Sequence, residues 1–232
     1  MPVLDGGSAS GIPTTITVLP VTEEIILDVQ KQVQDVTGTV YSPAYLLPYI
    51  NLAIVEMIKV NPTIYPVMKV FSLVAGSLQT IDPVEICILD IVCNMIGGVL
   101  TGNAITILQR KNLDQLIPSW QTFAANKTIK YVVKDDLDPY AFYVFPPQPI
   151  DTDQGIKMIF SELPAQLTAE DDTFPLEESL KLPCISYILY LILREETTIP
   201  NALNKATMCL GQFYRQMGVQ ATQSQAQEQQ QQ

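Results

Sequence analysis

The chain predicts an α+β fold, a helical bundle interrupted by a β-sheet or sandwich insertion and flanked by an extended N-terminal arm and a C-terminal tail. Three observations carry that prediction. Apolar residues recur at helical spacing in residues 22–61 and again in 176–218. Between them, over about 65–165, the period changes to two. At 232 residues the chain can bury roughly 70% of the surface its unfolded form exposes, so one domain over 22–218 can hold both kinds of element.

Residues 1–21 open with Gly and Ser and continue as "IPTTITVLP", β-branched and bounded by Pro13 and Pro20, which predicts a flexible lead and an extended arm. In "TEEIILDVQKQVQD", Thr22 stands as N-cap and Glu23 and Glu24 favour the first turn. Ile26, Val29, Val33 and Val36 follow at helical spacing. The second helix opens with Ser42 as cap and Pro43 at the first position, and ends before Pro62. Leu46, Ile50, Ala53, Ile54 and Met57 form its inward stripe. Leu47, Leu52, Val55 and Ile58 then leave only a thin polar seam through Asn51, Glu56 and Lys59, and a helix apolar on most of its circumference must be covered on most of it. Pro48 lies deep enough to predict a kink or a short first piece.

From Tyr65 the pattern predicts a hairpin turning near Ala75 and Gly76, a strand in "ICILDIVCNM", and another in "AITILQ" after a Gly102-Asn103 turn. A short helix covers "RKNLDQLI", halted by Pro118. Strands follow in "TIKYVVKD", "AFYVFP" and "GIKMIFSEL". Helix returns in "PLEESLKLPCISYILYLILREE" and "IPNALNKATMCLGQFYRQMG", the latter lined by Ala202, Ala206, Cys209, Leu210, Phe213 and Met217 and stopped by Gly218. Residues 219–232 are glutamine-rich with nothing to bury, and predict a disordered tail.

Composition narrows the function. Apolar residues make up 47% of the chain and charged residues 16%, well below the typical quarter for soluble domains, which predicts apolar surface covered by copies of itself or by partners. A formal charge of −11 argues against gripping DNA. No apolar run is long enough to predict a membrane span, and the N-terminus lacks the pattern of a signal peptide. The four cysteines, Cys87, Cys93, Cys184 and Cys209, form no C-x-x-C pair and predict buried thiols.

Histidine is absent, which removes the commonest general base, and no paired acid and base can be nominated, so neither catalytic nor metal nor cofactor residues are predicted. The acidic groups Asp135, Asp136, Asp138 and Glu170, Asp171, Asp172 lack the spacing of a calcium loop and predict turns. In "DDLDPYAFYVFPPQP", Phe142 and Val144 face one side of a strand and Tyr143 and Phe145 the other. Pro146 is expected to end the strand rather than to open a P-x-x-P ligand with Pro149. One face meets the subunit's own core, and the other needs a cover that a neighbouring subunit would supply.

The run from Val40 to Gly218 resembles a family of short-tailed phage head-to-tail adaptor proteins. The resemblance rests on the order of "SPAYLLPYIN", "LVAGSLQTI", "ILDIVCNM", "LDQLIPSW", "YVVKDDLDPYAFYVFPPQP" and a last helix ending "FYRQMG". More distantly the chain looks like the tail tubular protein A architecture. The resemblance implies a non-enzymatic virion protein in a ring of about twelve copies, docked on the portal protein above and on tail nozzle or tail fibre proteins below. DNA would pass through without specific binding. Carried over, Phe213, Tyr214, Met217, Gln220 and Gln223 become portal-facing candidates. A ring needs two different adhesive faces per subunit. Leu47, Val55 and Ile58 on the second helix and Tyr143 and Phe145 on the aromatic strand are the subunit-interface candidates. The alternatives are a stopper or nozzle ring one layer further down, or a small-molecule-binding α+β domain with Trp120, Tyr131 and Tyr143 lining its pocket.

Overall fold

The computed structural model describes residues 20–218 apart from 82–84, 98–99, 135–137, 139, 151–152 and 197–199, so the predicted tail and all of the predicted arm but Pro20 and Val21 lie outside the described residues, and Val21 belongs to the first helix rather than to the arm. The chain is α+β. Its helices are α1 (Val21–Gln32), α2 (Pro43–Val60), α3 (Arg110–Leu116), α4 (Lys181–Glu195) and α5 (Ala202–Gln216). Its strands are β1 (Pro66–Ser72), β2 (Gly76–Thr80), β3 (Glu85–Ile96), β4 (Leu100–Ala104), β5 (Thr106–Leu108), β6 (Tyr131–Lys134), β7 (Ala141–Gln148) and β8 (Gly155–Glu162). Helices α1, α2, α4 and α5 pack around one core that includes Ile25, Ile50, Ile54, Met57, Cys184, Ile188 and Phe213. The strands form two four-stranded sheets, β1-β8-β3-β4 and β2-β7-β6-β5, around a second core of Ile91, Val132, Phe142, Val144, Ile156, Met158 and Phe160.

Local chemistry sets the helix boundaries. Ser42 caps α2 as predicted, its Oγ accepting from Tyr45 N at 3.3 Å. The short first piece considered at Pro48 does not form, and α2 runs continuously from Pro43 to Val60. Pro48 and Ala44, whose carbonyl the missing N–H would have met, both lie on the exposed side, where water can serve that carbonyl. Thr22 is not a cap. Helix α1 starts at Val21, and the buried Thr22 hydroxyl donates to the Asp172 carbonyl at 2.8 Å. The apolar line also stops short of Val36, which is 73% exposed. Here the Asp35 carboxylate accepts the backbone N–H groups of Thr39, Val40 and Tyr41 at 3.1, 2.8 and 2.7 Å, drawing the chain into a turn.

The insertion departs from simple hairpins. Strands β1 and β2 do not pair: β1 lies antiparallel to β8 in one sheet and β2 antiparallel to β7 in the other. The turn at Ala75 and Gly76 is a corner between sheets. Gly76 takes φ +95°, and the buried Gln79 side chain bonds Val74 N at 2.8 Å and Val74 O at 2.9 Å, standing in for the strand partner that the corner removes. Gly102 and Asn103 lie inside β4 rather than in a turn, and the reversal after β3 falls at Gly97, where φ is +58°. Nor do the prolines end the aromatic strand, since β7 continues through Pro146 and Pro147 to Gln148. The β6 ladder has already ended at the Tyr131–Phe145 pair, so the two prolines interrupt no pairing with β6, and on the β2 side pairing resumes at Gly76–Gln148 after a register shift; Pro147 O accepts from Asn126 N at 3.0 Å.

Tyr41 and Tyr49 near the start of α2 bond Glu196 and Glu195 at the end of α4, so these two helices are antiparallel. Lys181 at the start of α4 ion-pairs with Glu24 and Asp28 of α1, at 2.8 and 3.0 Å. The start of α1, the end of α2 and the start of α4 therefore lie together, at the end of the bundle from which Asn61–Tyr65 lead into the sandwich.

Candidate subunit and partner interfaces

An adaptor surface is built from what the fold leaves uncovered. Of the α2 candidates, Leu47 and Ile58 are buried within the subunit and Val55 is half-exposed. The outward apolar line is instead carried by Leu52, 54% exposed, with Tyr45, 43% exposed. Leu52, Val55, Pro48 and Ala44 form one wall of a groove of about 620 Å³, and residues 164–168 form the other. Asn51 fixes that second wall, its amide donating to Leu167 O and accepting from Leu167 N, both at 2.9 Å. The groove is thus a preformed depression lined mainly by apolar side chains.

Beside it stands a ladder of tyrosines. The rings of Tyr41 and Tyr45 lie 5.8 Å apart and those of Tyr45 and Tyr49 5.3 Å apart, and Tyr49 Oη donates to Glu195 at 3.1 Å. The hydrogen bond with Tyr45 and partial burial hold the Tyr49 phenol well above its usual range. Glu195 and Glu196 sit at a helix C-terminus, where carboxylates are unfavourable. The tyrosine hydroxyls supply the donors that keep them there. Rings with one apolar face and one polar edge suit a surface that must be wet when free and dry when docked. The i, i+4 spacing of Tyr45 and Tyr49 was visible in the sequence, but the acidic partner of Tyr49, 146 residues away, was not.

Helix α5 carries the portal-facing candidates. Phe213 is fully buried, packed on Tyr187 and Tyr214 at 4.9 and 5.1 Å between centroids, and so belongs to the bundle core. Tyr214 and Met217 are half-buried at its edge, and Gln220 and Gln223 lie outside the described residues. The freely exposed apolar residues of α5 are Leu203 at 68% and Met208 at 75%. Met208 borders a second depression, of about 470 Å³, closed by Val33, Leu189 and Leu193.

The aromatic strand received a cover from its own chain. Phe145 is 3% exposed and packs with Leu113, Trp120 and Val133, beneath α3 and the turn after it. Tyr143 is half-buried, with Trp120 edge-on at 5.5 Å and the Arg110 guanidinium 5.6 Å from the ring centroid. Trp120 is 1% exposed, and its Nε1 donates to Asp114 at 2.8 Å. Trp120, Tyr131 and Tyr143 thus all pack in or against that cluster instead of lining an open pocket. On the other sheet Met68, Val70 and Val92 stay exposed among the described residues.

Of the remaining polar groups, Asp138 accepts from Tyr140 N at 2.9 Å and Asp172 from Thr168 N and Ala169 N at 2.6 and 2.9 Å, which is turn geometry. Asp135 and Asp136 lie outside the described residues. Cys93 and Cys184 are buried as expected, whereas Cys87 and Cys209 are only partly buried; burial pushes the thiols of Cys87, Cys184 and Cys209 up, toward the protonated form. Among the described residues no group of three or more Cys, Asp or Glu side chains could hold a metal ion.

Residues 22–232 match the family model described as SU10 adaptor protein. No curated protein matches the chain. Among solved structures, one described as the neck of an empty GTA particle computed with C6 symmetry aligns over 87% of this chain and 92% of its own, with 16% identity and a TM-score of 0.28, an overlap too loose to carry an argument.

Proposed function

Because the chain belongs to the SU10 adaptor protein family, and is accordingly a structural component of a phage head-to-tail junction, we propose that it closes into a ring of about twelve copies between portal and tail. Residues 22–218 act as a single adaptor domain in this reading. The host particle is of the short-tailed kind, and the subunit is a distant counterpart of tail tubular protein A. The copies assemble in the host cytoplasm, bind portal above and nozzle or fibre proteins below, and leave the DNA to pass through the centre.

The observation that carries the ring is the groove on α2, where Leu52 and Tyr45 stay exposed beside a wall that Asn51 holds in place. A closed ring uses a different face on each side of the subunit. The α2 groove with its tyrosine ladder supplies one, and the exposed apolar residues of α5 or of the β1-β8-β3-β4 sheet supply the other. The net charge of −11 suits a channel wall that should not hold DNA. On the portal side the reading uses Tyr214, Met217 and the tail that follows. Truncation after Met217 should leave the ring intact and weaken its attachment to portal, seen by imaging the protein with and without portal. Unchanged decoration of portal by the truncated protein would remove the tail from the interface.

A further inference from the structure

Strand β1 is the outer strand of its sheet, paired with β8 on one side only. Leu73 N donates to Gln154 O at 3.2 Å at the end of that ladder, and backbone polar groups alternate along a strand. Residues 67, 69 and 71 therefore turn their N–H and C=O groups toward β8, while Met68, Val70 and Ser72 turn theirs outward. Pro66 falls on the outward set and has no N–H to leave open. Edges of this kind are normally guarded by charge, yet here the side chains on the outer face are Met68, 54% exposed, and Val70, 44% exposed. Lys69, the strand's one charged residue, points the other way and ion-pairs with Glu162. Among the described residues the six-residue edge Val67–Ser72, with Met68 and Val70 on its outer face, has no second partner strand.

The chain itself holds a segment that fits. Between Pro13 and Pro20 lie six residues, "TTITVL", bounded at each end by a residue that cannot donate to a ladder. Asp5 is the only charge in residues 1–19. The segment leads into α1, which starts at the end of the bundle where Lys181 holds Glu24 and from which the chain enters β1. A strand arriving at that end and one leaving it run antiparallel. We propose that residues 14–19 pair in this way with β1 of their own copy, adding a fifth strand to the sheet, with Val18 opposite Met68 and Ile16 opposite Val70. This register places apolar pairs on the outer face and seats the outward backbone groups of Met68, Val70 and Ser72. A slip of one residue in one direction would set Thr17 and Thr15 against Met68 and Val70, and in the other would set Thr17 against Val70.

Two measurements test the pairing. The first is amide exchange of the full-length chain and of a variant lacking residues 1–19, compared at Met68, Val70 and Ser72. Exchange there should be about tenfold or more faster in the variant, with β8 unchanged as the control for folding. Equal exchange in the two proteins would overturn the proposal. The second uses the non-hydrogen-bonded pair that this register sets face to face, Thr17→Cys with Lys69→Cys, oxidised and mapped by peptide mass spectrometry. A bond within one chain supports the pairing. No bond between these positions, or one that joins two chains, overturns it. Neither readout requires a ring, so failure here leaves the ring reading standing.

Discussion

The outer face of β7 and the outer face of α2 make the same demand in sequence, each being an apolar stripe left over once the element's inner side is satisfied. They end differently. Phe145 lies 3% exposed beneath α3 and the Trp120 turn, whereas Leu52 lies 54% exposed above a groove. An apolar pattern states that a surface must be covered. Which chain covers it depends on whether the connections bring something back over it, and the 22 residues between β5 and β6 do so for β7. Nothing among the described residues does so for the α2 groove.

The sharpest way to break this comparison is to remove a side chain from the closed side. Phe145→Ala should cost about 3–5 kcal/mol in denaturant unfolding, because it opens a cavity among Leu113, Trp120 and Val133. A cost below about 1 kcal/mol would mean that α3 covers the strand only loosely. Next in size is the clip on the open side. Asn51→Ala removes both bonds to Leu167 and should cost about 1–3 kcal/mol while loosening residues 164–168, seen as faster amide exchange at Leu167. Unchanged exchange would show that the groove wall holds without it.

Smallest is the acid response of the turn after α1. Backbone N–H bonds from Tyr41, Val40 and Thr39 hold the Asp35 carboxyl below its ordinary value of 3.8. A depressed carboxylate contributes stability that is fully present above that ordinary value and is lost as pH falls through the folded pKa. Protection at Thr39–Tyr41, taken relative to the intrinsic exchange rate at each pH, should therefore fall below pH 3.8 and stay flat above it, and Asp35→Asn should abolish that step.

What the sequence disclosed follows from the range of the forces involved. Ser42 as cap, Gly218 as stop (φ +74°) and the buried line through Ala202, Ala206 and Phe213 depend on neighbours within one or two turns, and all were legible. The corner at Gly76 was mistaken for a hairpin because a turn signal is local, while the choice between one sheet and two depends on β7 and β8, some seventy residues on or more. Pro146 was given the role of terminator because a proline's missing donor is visible in sequence and the earlier end of the β6 ladder is not. For the interfaces, the sequence directed attention to α2 and α5. Phe213 and Ile58, however, are core residues, and the exposed positions are Leu52, Leu203 and Met208. Exposure on a helix that is apolar all round is decided by its neighbours' directions, which periodicity does not encode.

The account stands most directly on the mass of the full-length protein in solution, set beside that of Leu52→Glu. At a site so exposed the substitution should change stability by less than about 0.5 kcal/mol. The natural chain should sediment as a closed multiple of 25.7 kDa and the variant as a folded single copy. A natural chain that stays at 25.7 kDa at high concentration, or a Leu52→Glu ring that forms as readily as the original, would contradict it.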